Sequence, residues 1–113
     1  PETYHLIDDA AFSVMKNTAL FINVGRGKTV DENALIRALR EDKIAGAGLD
    51  VFEQEPPAPD NPLWTMPNVI ITPHIAGLDL EHASRAFELL VDNLRRVMEN
   101  RPVRNQIDKS RGY

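Results

Sequence analysis

The stretch ALFINVGRGKT at residues 19–29 decides the predicted fold, because it joins an apolar run directly to a glycine-rich turn. The run at 19–24 is rich in residues that favour β-structure, and a near-continuous apolar strand is typical of a sheet covered on both faces. The turn that follows contains Gly25, Arg26 and Gly27. This stretch therefore predicts a buried strand that ends in a turn carrying an arginine.

The last three residues of the stretch, Gly27, Lys28 and Thr29, match the end of a phosphate-binding P-loop. The P-loop pattern G-x-x-x-x-G-K-[ST] requires a glycine five positions before its second glycine. Ile22 occupies that position, and too few residues separate the strand from the turn to wrap backbone N–H groups around phosphates. A nucleoside triphosphate site is therefore not predicted, and Arg26 becomes the residue of interest.

Helices and strands alternate along the rest of the chain. Helices are predicted over 8–15, 31–41 and 79–100 from their apolar spacing, and further strands over 44–51 and 69–72. Asp8 and Asp31 are predicted N-caps, and Thr29 with Glu32 could form a capping box. A proline-rich loop precedes the last strand. This order indicates an α/β fold with a parallel sheet and flanking helices.

Polar side chains follow each predicted strand where it ends. Arg26 follows the first strand, Asp50 lies at the end of the second with Glu55 beyond it, and His74 follows the third. Because ligands bind at the carboxyl ends of parallel strands, we expect these side chains to line one site. Arginine offers a planar fork for a carboxylate, and histidine transfers protons near neutral pH. The set therefore predicts proton transfer beside a bound carboxylate.

The composition limits the classes of partner. Seventeen acidic residues against 13 Lys and Arg give a formal net charge of −4, which argues against nucleic acid or an anionic membrane as the main partner. The chain has no cysteine, which excludes disulfides, thiolate metal sites and a cysteine nucleophile, and no metal is predicted. No apolar run approaches the ~20 residues of a membrane span, and no signal-peptide pattern is visible, so a cytoplasmic protein is expected.

Three motifs relate the chain to a known family. They are INVGRG at 22–27, GLDVFEQEP at 48–56 and ITPHIAG at 71–77, with PLW at 62–64 and PNV at 67–69 between them. In order and spacing these motifs resemble those of the D-isomer-specific 2-hydroxyacid dehydrogenases, and the resemblance covers nearly the whole chain. The final RGY at 111–113 resembles the C-terminus of some glyoxylate and hydroxypyruvate reductases in that family.

The resemblance implies hydride transfer between NAD or NADP and a small 2-keto or 2-hydroxy acid. Arg26 would bind the substrate carboxylate. His74 would protonate the substrate oxygen during reduction, and Glu55 would pair with His74 and keep it protonated. Asp50 and Gly77 would border the nicotinamide part of the cofactor.

The resemblance also implies that only the C-terminal half of a Rossmann-like domain is present. Residues 1–78 would be the second half of the dinucleotide-binding domain, and 79–113 a long helix and tail that return to an absent substrate domain. The phosphate fingerprint G-x-G-x-x-G is missing, since Val30 stands where the third glycine would follow Gly25 and Gly27. We therefore expect the isolated chain to be inactive, to bind NADH weakly or not at all, and to associate. A homodimer is expected for the full-length protein.

Two other interpretations remain open at this point. The same fold could serve an NAD(H)-binding regulatory protein of the corepressor type, because such relatives keep the same arginine, glutamate and histidine. The chain could also be a purely structural α/β half-domain. His5 and His82 are expected to be structural or exposed, and Trp64 to anchor the proline-rich loop by packing.

Overall fold

The computed structural model describes residues 2–79 and 81–110, and the chain divides into two compact units, Pro1–Gly77 and Leu78–Tyr113. The division falls next to the predicted boundary between 78 and 79. That the two parts are a half-domain and a returning helix stays a prediction.

A parallel three-stranded sheet forms the first unit. Its elements are α1 (Asp9–Ser13), β1 (Leu20–Asn23), α2 (Glu32–Arg40), β2 (Gly46–Leu49) and β3 (Val69–Ile71), with short 3-10 turns at Gly27–Thr29 and Pro62–Trp64. The strand order is β1-β2-β3, and both neighbouring pairs are parallel. The predicted α/β fold with a parallel sheet and flanking helices is confirmed. Each observed helix and strand is slightly shorter than the range predicted for it from the sequence.

Both predicted N-caps are present. Asp8 and Asp31 each accept a hydrogen bond from the backbone N–H three residues further on, at 3.1 and 3.0 Å. The capping box at the start of α2 does not form. The Thr29 hydroxyl donates instead to the Arg26 carbonyl at 2.6 Å, and the Glu32 carboxylate turns away to the loop after β2.

The hydrophobic core lies on one face of the sheet. Phe12 of α1 and Leu35 and Leu39 of α2 pack there against side chains of the three strands. The opposite face of the strands is open: Leu20, Ile22 and Ile70 are 71, 69 and 73% exposed. The expectation of a sheet covered on both faces is therefore wrong for the described residues, because both helices pack on the same side.

One of the two glycines in β2 allows a close backbone approach. A Cβ on Gly46 would lie 2.7 Å from the carbonyl oxygen of Asn68, the residue before β3. A Cβ on Gly48 would meet only the Ile22 side chain, at 3.8 Å, which is an ordinary contact. Gly46 therefore permits a close approach of the backbone that precedes β3.

The second unit is built around one helix, α3 (His82–Met98). Its predicted apolar stripe is present, and Phe87, Leu90 and Leu94 are exposed. The described tail, 101–110, contains no helix or strand, and the motif at 111–113 lies outside the described residues. In the described parts of the chain, no helix is long and apolar enough to cross a membrane.

Candidate active site

The turn after β1 is held by a buried asparagine. Asn23, the last residue of β1, accepts from the Gly25 N–H at 3.1 Å and donates to the Arg26 carbonyl at 3.3 Å. The Arg26 guanidinium donates to the Gly25 carbonyl at 2.8 Å and has no ion-pair partner among the described residues. The Arg26 guanidinium therefore lies just after β1, and its charge is available to bind an anion.

Gly27 brings this turn into direct contact with the loop after β2. A Cβ on Gly27 would lie 1.7 Å from the Phe52 carbonyl oxygen and 2.6 Å from the Glu53 nitrogen, so no side chain fits. The glycine after Arg26 thus permits a backbone-to-backbone approach between this turn and the loop after β2. The arginine turn and the glutamate loop are packed as neighbours.

Glu55 and His74 form a hydrogen-bonded pair across two loops. His74 Nδ1 lies 2.7 Å from Glu55 Oε2, and Glu55 Oε1 accepts from the Phe52 N–H at 3.0 Å. Since a carboxylate only accepts hydrogen bonds, Nδ1 carries the proton and Nε2 is left for another partner. The hydrogen bond from His74, followed by the Phe52 N–H, lowers the pKa of Glu55 below its ordinary value. The pair is about half exposed, so it is accessible to a small ligand.

A buried aspartate fixes the loop that carries His74. Asp50, 3% exposed, accepts from the Thr72 hydroxyl at 2.5 Å and from the N–H groups of Ile75 and Ala76 at 3.0 and 2.8 Å. The Thr72 hydroxyl is the main cause that lowers the pKa of Asp50, against the effect of burial. His74 itself has a φ of 55°, a left-handed conformation that is uncommon outside glycine. Asp50 therefore stabilises the backbone conformation that aims His74.

One cavity of about 680 Å³ brings the three predicted catalytic side chains together. Arg26, Glu55 and His74 all line it, with Lys28 and Glu53. Glu55 and His74 also line a second, apolar pocket of about 460 Å³. Trp64 lines that pocket, stacks on Phe52 with ring centroids 6.3 Å apart and donates to the Ala58 carbonyl, as expected for a packing anchor.

The residues predicted to border the nicotinamide lie at the same edge of the sheet. Asp50 follows β2 directly, and Gly77 is three residues beyond His74. A Cβ on Gly77 would meet no atom within 4 Å, so space for a ligand exists there. Ligands of parallel sheets bind beyond the carboxyl ends of the strands, and that Asp50 and Gly77 border a nicotinamide there stays a prediction.

Two features of the site were not found from the sequence. Asn23 and Thr72 lie inside recognised motifs, but no local pattern shows that their side chains organise the turns. His5 pairs with Glu53 at 2.8 Å across 48 positions, a contact that no sequence spacing indicates. Within the part of the chain that is described, no group of three or more His, Asp or Glu is arranged to hold a metal.

A family model described as the D-isomer specific 2-hydroxyacid dehydrogenase NAD binding domain matches residues 1–76. A glyoxylate reductase from Korarchaeum cryptofilum is 52% identical over 93 residues, and glyoxylate/hydroxypyruvate reductase B from Klebsiella pneumoniae is 53% identical over 93 residues. Each alignment covers 82% of this chain and 28 or 29% of the relative. The chain therefore spans less than a third of the length of these curated relatives.

A solved structure gives the same result. The D-isomer specific 2-hydroxyacid dehydrogenase from Xanthobacter autotrophicus Py2, in complex with NADPH and MES, matches with a TM-score of 0.89 and 47% identity. The match covers 100% of this chain and 46% of that one. The similarity thus includes every strand, turn and loop that forms the cavity.

Proposed function

The chain belongs to the D-isomer specific 2-hydroxyacid dehydrogenases, and we propose that it carries the substrate-binding and proton-transferring groups of a nicotinamide-dependent reductase of small 2-keto acids. The observation that carries the proposal is the 2.7 Å contact between His74 Nδ1 and Glu55 Oε2 in the cavity that Arg26 also lines. An available cation beside a histidine–carboxylate pair suits a substrate that is itself a carboxylate and must take up a proton.

Each of the three side chains has a distinct role in the proposal. Arg26 binds the substrate carboxylate through its planar fork and places C2 and its oxygen near His74. The protonated imidazole of His74 gives the proton on Nε2 to that oxygen as negative charge develops there, and takes it back in the oxidative direction. Glu55 holds Nδ1–H, which fixes the ring orientation and stabilises the imidazolium. When bound, the reduced nicotinamide supplies the hydride to C2.

Asp50 and Gly77 are proposed to border the nicotinamide. The carboxylate of Asp50 is engaged by Thr72 and two backbone N–H groups, so its proposed effect on the cofactor acts through the shape of the loop that follows β3. Gly77 leaves open space in which the backbone can approach the ring.

The complete activity is proposed for a protein that also contains the regions found in the relatives outside the matched span. The 113-residue chain alone is then expected to turn over no substrate and to bind NADH weakly or not at all, since it has no G-x-G-x-x-G loop for the pyrophosphate. A homodimer and a cytoplasmic location belong to the same proposal for the complete protein.

A panel of substrates tests the proposed function. The complete protein is assayed with glyoxylate, hydroxypyruvate and pyruvate, each with NADH and with NADPH, by loss of nicotinamide absorbance. We expect turnover of at least one keto acid, and the cofactor preference follows from the same data. Binding of NADH or NADPH without turnover of any of the three would contradict a reductase and favour the regulatory alternative.

A further inference from the structure

A glutamate outside the cavity bonds to both ends of the loop that carries Glu55. Glu32, in the first turn of α2, accepts from the Glu53 N–H through Oε2 at 3.0 Å. Its other oxygen, Oε1, accepts from the Asn61 side-chain amide at 2.6 Å. The two donors are eight positions apart and enclose Glu55, so one carboxylate fastens the segment 53–61 to the start of α2.

The same loop is held against the arginine turn. The Gly27 backbone packs directly on the Phe52 carbonyl, and α2 begins a few residues after that turn. The side chain of Glu53 is held separately by His5, at 2.8 Å. The Gly27 contact and the Glu32 bonds therefore both connect the loop that carries Glu55 to the segment that runs from Arg26 into α2.

We propose that Glu32 is a positioning residue that fixes the Glu55–His74 pair relative to Arg26 by fastening the loop at Glu53 and Asn61. This inference rests on the proposed function for its kinetic consequences and on the hydrogen bonds for its structural ones. Misplacement of a catalytic group by about 1 Å can cost about a hundred-fold in rate, so a support of this kind has measurable effects.

The hydrogen-bond polarity explains why a carboxylate is required. Both partners of Glu32 are N–H donors, and a carboxylate offers an acceptor oxygen to each, whereas a glutamine offers one acceptor and one donor group. Asn61 cannot simply turn its amide around to compensate, because its Oδ1 already accepts from the Leu63 N–H at 3.0 Å. A glutamine at position 32 must therefore lose one of the two bonds.

Exchanging the donor and the acceptor between positions 32 and 61 should restore the hydrogen bond that Glu32→Gln loses. In the double variant Glu32→Gln/Asn61→Asp, the new glutamine amide can donate to the new aspartate while its oxygen still accepts from the Glu53 N–H. The new aspartate can also keep the bond from Leu63. Asn61→Asp alone places two carboxylates against each other and should be defective. Glu41→Gln, at the exposed end of α2, is the matched control.

The variants are compared in the complete protein by kcat, KM and the pH dependence of kcat/KM for reduction. We expect Glu32→Gln to lower kcat about ten-fold to a hundred-fold, to change KM less, and to move the basic limb of the profile to lower pH. The double variant should recover most of the loss, and Glu41→Gln should match wild type. A wild-type pH profile and kcat in Glu32→Gln, or a double variant no better than either single one, would overturn the proposal.

A second readout separates this inference from the proposed function. The carboxyl carbon of Glu55 is titrated by NMR in the same proteins, without substrate. We expect the pKa of Glu55 to be below its ordinary value in wild type, to rise in Glu32→Gln and to fall again in the double variant. If Glu32→Gln does not fold, the double variant provides the test. A Glu55 pKa equal to that of wild type in the double variant supports the inference. A folded double variant with a raised Glu55 pKa contradicts it. Absent turnover in wild type would count only against the proposed function.

Discussion

At the scale of single residues, the site depends on a histidine held in an uncommon backbone conformation. His74 has a φ of 55°, and the three hydrogen bonds to Asp50 hold the turn around it. Such conformations persist where the surrounding contacts over-determine them. The buried aspartate after β2 thus holds the backbone turn from which the His74 side chain projects.

Asp50→Asn should weaken this turn, because the amide offers only one acceptor oxygen where the carboxylate binds three donors. The pKa of Asp50 is lowered in the folded protein, so its stabilising effect is present above the unfolded pKa of about 4 and is lost as the pH falls through the lower folded value. Unfolding free energies of the complete protein from pH 6 to about pH 2 check this. The difference in unfolding free energy between wild type and Asp50→Asn should become smaller as the pH falls. A difference that stays constant with pH would contradict this expectation.

Arg26→Lys tests the role of the planar fork. Lysine keeps the charge but loses the paired N–H groups that match a carboxylate. We expect KM for the keto acid to rise about ten-fold to a hundred-fold in the complete protein, with a smaller change in kcat. The control is Arg40→Lys, at the exposed end of α2. Equal KM values for Arg26→Lys and wild type would remove Arg26 from the substrate site.

At the scale of elements, the contact between two turns is what brings the cation beside the histidine–glutamate pair. Gly27→Ala places a Cβ 1.7 Å from the Phe52 carbonyl oxygen, whereas Gly25→Ala meets only the Asn23 Oδ1, at 3.6 Å. Overpacking typically costs about 1–3 kcal/mol, so we expect a loss of that size or more for Gly27→Ala and less for Gly25→Ala. Denaturant unfolding of the complete protein measures both. Equal losses would mean that the turn and loop are not in close contact.

Local patterns predicted the elements well and the contacts between them poorly. Apolar spacing and the Asp8 and Asp31 caps placed α1 and α2, since these signals act over a few residues. The capping box failed because Glu32 has better partners 21 and 29 positions away, in a loop whose path the local sequence does not encode. Because Arg26, Glu55 and His74 each follow a predicted strand, the sequence placed them at one edge of the sheet. The 2.7 Å contact between His74 and Glu55 is visible only in the folded structure.

At the scale of the whole molecule, the open face of the sheet matters most. Leu20, Ile22 and Ile70 form an exposed apolar surface on β1 and β3, and β1 has an unpaired edge among the described residues. Such surfaces favour association. We expect the 113-residue chain to show concentration-dependent mass in sedimentation or light scattering. Leu20→Lys, which adds charge to this face, should reduce the association. A monomer at all concentrations would contradict this expectation.

In the proposed function, His74 transfers the proton in the reduction of a 2-keto acid. The test is kcat in the complete protein for whichever of glyoxylate, hydroxypyruvate and pyruvate it reduces, with wild type, His74→Gln and the exposed control His82→Gln compared at the optimal pH. Loss of a general acid lowers rates by about 10²–10⁴-fold, and we expect a loss in this range for His74→Gln with no change for His82→Gln. A His74→Gln protein that keeps kcat within about two-fold of wild type, well short of the rate loss expected on removing a general acid, would contradict the claim.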